Sequence, residues 1–132
     1  MMSQALVRRW WIVWAVMLPW VAVLQLVFPR HPVAPLTKTT DLMVELVGIV
    51  PLFVSIVIRW LALPRATSLT GAFPLFLAGI ALAEVCGVLG IVTGGPYRDA
   101  LFVLSLLGLV QFAPLFARQL AEPKPKGYIP NN

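Results

Sequence analysis

Glu84 lies near the middle of an apolar run from Ala72 to Gly94 and is the only charged side chain in it. A carboxyl in such a setting has two uses: it can take up and release a proton, or it can share a hydrogen bond with a neighbouring helix. The run is long enough to cross a bilayer, whose hydrocarbon core of roughly 30 Å takes about 20 helical residues. At that depth an ionisable group costs at least ~2.5 kcal/mol, so it faces protein or a water-filled path and marks a task. Little else in the chain offers chemistry. His31 has no second His, Cys or carboxylate at metal-ligand spacing, and Cys86 is the only cysteine, which excludes an intrachain disulfide and leaves a small packing residue. There is no serine, histidine and acid set and no phosphate-binding glycine loop, and Gly94-Gly95-Pro96 reads as a turn. The expectation is a protein that is not an enzyme and uses no cofactor and no metal.

The elements that must position Glu84 follow from composition. Of 132 residues, 60% are hydrophobic and only 11% charged, and the mean hydropathy is +0.90. No soluble core holds that much apolar surface, so the chain reads as an all-α, polytopic integral membrane protein. Four apolar stretches predict transmembrane helices at about 10–28, 42–63, 72–94 and 100–117. A β-barrel is excluded, because its strands would be about ten residues long with alternating polarity, and these runs are continuous. Residues 1–121 are read as one four-helix transmembrane domain and 122–132 as a flexible cytoplasmic tail rich in proline, lysine and asparagine. The first stretch is longer than a signal-peptide core and is read as a retained span. Trp10, Trp11 and Trp14 at its start are expected to anchor it in an aromatic belt.

In the second stretch Glu45 suits the first turn and Arg59, near the end, can snorkel toward headgroups. Kinks are expected near Pro19, Pro51 and Pro114, whereas Pro74 suits a first turn. Charge sets the orientation. Arg8, Arg9, Arg59, Arg65, Arg118, Lys124 and Lys126 fall on one side and Arg30, Lys38 and Arg98 on the other. By the positive-inside rule both termini are cytoplasmic, in the inner (cytoplasmic) membrane of a cell. The net charge of +5 is thereby assigned to topology and lipid headgroups, and no nucleic-acid partner is expected. The segments Arg59 to Arg65 and Arg118 to Lys124 share the pattern R-x-L-A-x-P-[RK], which fits either a duplicated hairpin or two helix ends under the same interfacial demands.

Gly79, Ala83, Gly87, Gly90 and Gly94 project within about 80° of one another at 100° per residue, a helix-packing seam on the third span. Such seams let membrane helices approach closely. Glu84 projects at the edge of this seam, where a neighbouring helix can shield it. The stretch Ala81-Leu82-Ala83-Glu84-Val85-Cys86-Gly87-Val88-Leu89-Gly90-Ile91-Val92 resembles the carboxylate helix of the c subunit, or proteolipid, of rotary ATP synthases. The resemblance implies a proton or sodium site at Glu84 in a ring of copies. Val85 and Leu89 offer no oxygen for sodium, so a proton is the ligand implied. The likeness covers about a dozen residues of a chain with four predicted spans, where that family has two.

Two readings stand. In one, the protein is a packing or accessory component of a membrane assembly, and Glu84 is a buried tie to Ser105 or Gln111 on the fourth span. In the other, it is a c-subunit-like homo-oligomer in which Glu84 binds the proton that is translocated. The expected partners are the lipid bilayer and either further copies or other membrane subunits.

Overall fold

The computed structural model describes residues 2–28, 43, 46–117 and 120, and among these every regular element is helical. His31, Glu45, Arg30, Lys38, Arg118, the second copy of the R-x-L-A-x-P pattern apart from Leu120, and the 122–132 tail lie outside the described residues. Helix α1 is Met2–Val27 and α2 is Ile49–Val57, which winds on as a π-helix over Ile58–Ala62 and a 3-10 turn over Leu63–Arg65. Helix α3 is Leu69–Thr93, and α4 is Arg98–Val110, followed by a 3-10 turn at Pro114–Phe116. Three stretches, Gln4–Val27, Leu69–Thr93 and Arg98–Phe116, are long and apolar enough to cross a membrane. The second predicted span is wound in three helical types instead of one.

The side chains turned outward are as apolar as those turned inward. Ile12, Val16 and Trp20 on α1, Phe53, Ile56 and Val57 on α2, Val88 and Val92 on α3, and Val103 and Leu107 on α4 are all exposed. Water would penalise such a surface and acyl chains do not, so this is a multi-pass membrane protein.

The ends of α3 show local chemistry at work. Ser68 is its N-cap, in extended conformation, with Oγ accepting from the Gly71 N–H at 3.1 Å. Gly94 ends it in the left-handed region at φ 61°, where a Cβ would strain the backbone, and its N–H donates to the Gly90 carbonyl. The chain then turns and enters α4, which packs antiparallel against α3. Contacts step down one helix as they step up the other: Gly90 meets Leu101, Gly87 meets Ser105, Ala83 meets Gly108 and Gly79 meets Phe112.

The prolines act differently from one another. Pro19 sits inside a helix that continues to Val27, Pro51 falls in the first turn of α2, and Pro74 lies one turn deeper into α3 than a first-turn proline. Pro114 stops α4. It has no N–H, and Ala113 before it is extended at φ −48°, ψ 124°.

At the opposite end Arg98 closes the bundle. It is only 5% exposed, and its Nη2 donates to the carbonyls of Phe28 (2.8 Å) and Gln25 (3.3 Å), while Nε reaches Gln25 Oε1 at 3.2 Å. Gln25 Nε2 in turn donates to Asp99 Oδ1 at 2.9 Å. A cation on the last carbonyls of α1 satisfies groups that a helix end leaves open.

Candidate functional site

Two neighbours of α3 define the surroundings of Glu84. Trp10 of α1 stacks on Phe76 with ring centroids 4.5 Å apart, and Val21 of α1 stands where a Cβ on Gly87 would go, its Cγ2 at 2.8 Å. The two contacts are the same number of residues apart on both helices, so α1 and α3 run parallel and in step. Phe76, Ile80, Glu84 and Gly87 fall on one stripe at helical spacing, so Glu84 lies between those contacts, on the flank of α3 nearest α1.

The residue is half-buried and its Oε1 is fully enclosed without a hydrogen-bond partner. The tie to Ser105 or Gln111 is not made. Ser105 Oγ is also buried without a partner, pressed toward Gly87 instead. Gln111 is turned elsewhere, its Oε1 accepting from Trp60 Nε1 at 3.2 Å while its Nε2 is buried without a partner. The reason is the break at Pro114, which ends α4 at Val110 and turns Gln111 toward α2. Among the described residues no group of three His, Cys, Asp or Glu stands together, so Glu84 acts as a single carboxyl.

The small residues of α3 are distributed between two roles. A Cβ at Gly79 would overlap the Phe112 ring, one at Gly87 would lie 2.8 Å from Ser105 Oγ, and one at Gly90 would lie 2.8 Å from Leu101 Cβ. Ala83 is fully buried and stands opposite Gly108. Gly94 differs: nothing lies within 4 Å of where its Cβ would be, and its glycine answers to the left-handed cap. Helix α2 adds a tether from its own side, with Ser55 Oγ donating to the Gly79 carbonyl at 2.7 Å.

Three residues around this core, Leu101, Gly108 and Phe112, were not singled out by sequence reasoning. With Ser105 they recur at helical spacing on α4 and the turn after it, a legible stripe that pairs with the small residues of α3. Trp10 is not a belt anchor, and Trp14 is tied inward. Trp10 is 0% exposed, with Phe73, Phe76 and Phe116 around it, and Trp14 Nε1 donates to the Leu109 carbonyl at 2.8 Å. Arg59 is tied inward as well, its Nε donating to the Gln111 carbonyl at 2.7 Å. All three side chains serve the broken end of α4, which no local pattern in their own segments announces. No family model matches this chain, and no curated protein or solved structure matches it.

Proposed function

We propose that the protein is a small, non-enzymatic component of a membrane assembly: four spans, both termini cytoplasmic in the inner membrane, and Glu84 turned to a partner that the chain itself does not supply. The observation that carries this reading is the closure of the α3 seam from within. Gly79, Gly87 and Gly90 are occupied by Phe112, Ser105 and Leu101 of the same chain, so this seam is not open to a second copy. Glu84 Oε1, by contrast, has no internal partner. A buried polar atom without a hydrogen bond costs on the order of 1–3 kcal/mol, so the chain leaves this carboxyl unsatisfied, and its half-buried side chain is what a partner subunit would meet.

Mass determination of the complex extracted in mild detergent or in native membrane discs tests this. One copy bound to a larger assembly, and released by Glu84→Leu but retained by Glu84→Gln, supports the reading. A free single chain in the membrane overturns it. The same lone carboxyl favours the second reading, a c-subunit-like ring in which Glu84 binds a proton, and a closed ring of identical copies reactive toward a carboxyl-directed carbodiimide would select it.

A further inference from the structure

Pro114 forces the end of α4 into 3-10 hydrogen bonds, Phe112 N to Leu109 O and Ala113 N to Val110 O, both 3.0 Å. The Gln111 carbonyl is left for a side chain, and Arg59 takes it through Nε. Arg59 comes from the π-helical stretch Ile58–Ala62, a widening of the helix that recurs at functional sites. Its guanidinium lies 4.3 Å from the centroid of the Phe116 ring and 5.2 Å from that of Trp60. One edge is thus held by a carbonyl and the faces by rings. A guanidinium has five N–H donors, and the Gln111 carbonyl uses one. Among the described residues no carboxylate pairs with it: Asp99 is engaged by Gln25 at the far end of the bundle, and Glu84 has no ion pair. The result is a fixed cation against aromatic rings whose fork no described residue uses, the geometry that takes a phosphate or carboxylate through two parallel hydrogen bonds.

Position selects the ligand. Arg59 lies six residues before Arg65 at the end of the helical stretch, about 9 Å along a helix axis, so with Arg65 among the headgroups the Arg59 side chain stands within reach of them. Beside it Phe53, Ile56, Val57, Trp60 and Leu61 form an exposed apolar strip along α2 suited to an acyl chain. We propose that the Arg59 fork binds the phosphate of an anionic membrane lipid whose chains lie along α2. This rests on the membrane reading and on α2 as one of the four proposed spans, and not on any role of Glu84.

The shared chemistry is a phosphate oxyanion, and a lipid or a free phosphate could supply it. The test uses the full chain, delipidated in detergent and titrated separately with phosphatidylglycerol, phosphatidylcholine and inorganic phosphate, read by native mass spectrometry and by thermal stability. The expected result is one retained phosphatidylglycerol per chain and a raised melting temperature, with inorganic phosphate inert. Arg59→Lys keeps the charge and a donor for the Gln111 carbonyl but loses the fork, and should weaken phosphatidylglycerol binding roughly tenfold, the worth of one charge-assisted hydrogen bond. Arg65→Gln should leave it unchanged. Equal binding of phosphatidylcholine, or an Arg59→Lys variant that binds phosphatidylglycerol as wild type does, overturns the proposal. Stabilisation by inorganic phosphate to the level reached with phosphatidylglycerol overturns the lipid assignment and leaves a soluble anion as the ligand.

Discussion

Replacing Gly87 with leucine tests the packing on which the whole bundle rests. A Cβ there would stand 2.8 Å from Val21 Cγ2, 2.8 Å from Ser105 Oγ and 3.0 Å from Ser105 Cβ, with α1 on one side and α4 on the other. The serine hydroxyl can rotate away, but its Cβ and the valine methyl move only with their helices. An alanine therefore asks for a shift of several tenths of an ångström. Overpacking of that kind costs about 1–3 kcal/mol, against which alanine recovers about 1 kcal/mol of helix propensity, so Gly87→Ala should destabilise by roughly 0–2 kcal/mol. Leucine adds three further carbons and no space for them, and should cost about 3 kcal/mol or more. Ala78→Leu on the exposed side of the same helix is the matched control, expected within about 0.5 kcal/mol of wild type. The assay is reversible unfolding in mixed micelles, with helix content followed against denaturing detergent. Ser105→Gly in the Gly87→Ala background should restore part of the loss, with a coupling of about 0.5–3 kcal/mol between the two sites. Should Gly87→Leu prove no less stable than Ala78→Leu, the α1, α3 and α4 junction described above is wrong.

Three further outcomes are expected. In the isolated chain Glu84→Leu should be no less stable than wild type, because it removes a buried oxygen that has no partner; a loss above about 1 kcal/mol in the same micelle assay would reveal an internal hydrogen bond. Trp14→Phe removes the indole donor from the Leu109 carbonyl, which keeps the Phe112 N–H, and should cost about 0.5–1.5 kcal/mol, whereas Trp11→Phe, which removes no such bond, should cost less; equal losses would contradict the tethering role of Trp14. In a chain with Cys86 replaced, cysteines at Thr39 and Tyr97 should react with an impermeant label from outside and those at Ser68 and Asn131 only after permeabilisation. Labelling of Ser68 from outside would reverse the orientation that the basic residues imply.

The helical class and the membrane habitat are properties of composition and run length. Every backbone polar group in lipid has to be satisfied within its own segment, so a long apolar run can be little else than a helix. The end of α3 at Gly94 is readable as a turn, whereas its start at Leu69 lies three residues before the expected 72; the spacing of Gly79, Gly87 and Gly90 marks a close approach before the partner is known. What occupies that approach is a matter of register between helices. That Phe112, Ser105 and Leu101 fill it, and not another copy of α3, depends on the turn at 94–97 setting α4 antiparallel against α3. The missed roles share one physical origin. Pro114 announces a break in its own helix, but the Gln111 carbonyl it frees is bound by Arg59, and Trp14 adds a second donor to the Leu109 carbonyl; both are side chains distant in sequence that composition alone assigns to a membrane interface. Glu84 divides the same way: its residue type and its depth are written in the chain, while the absence of a partner for its Oε1 is decided by Pro114, Trp60 and Gly87, which draw Gln111 and Ser105 elsewhere.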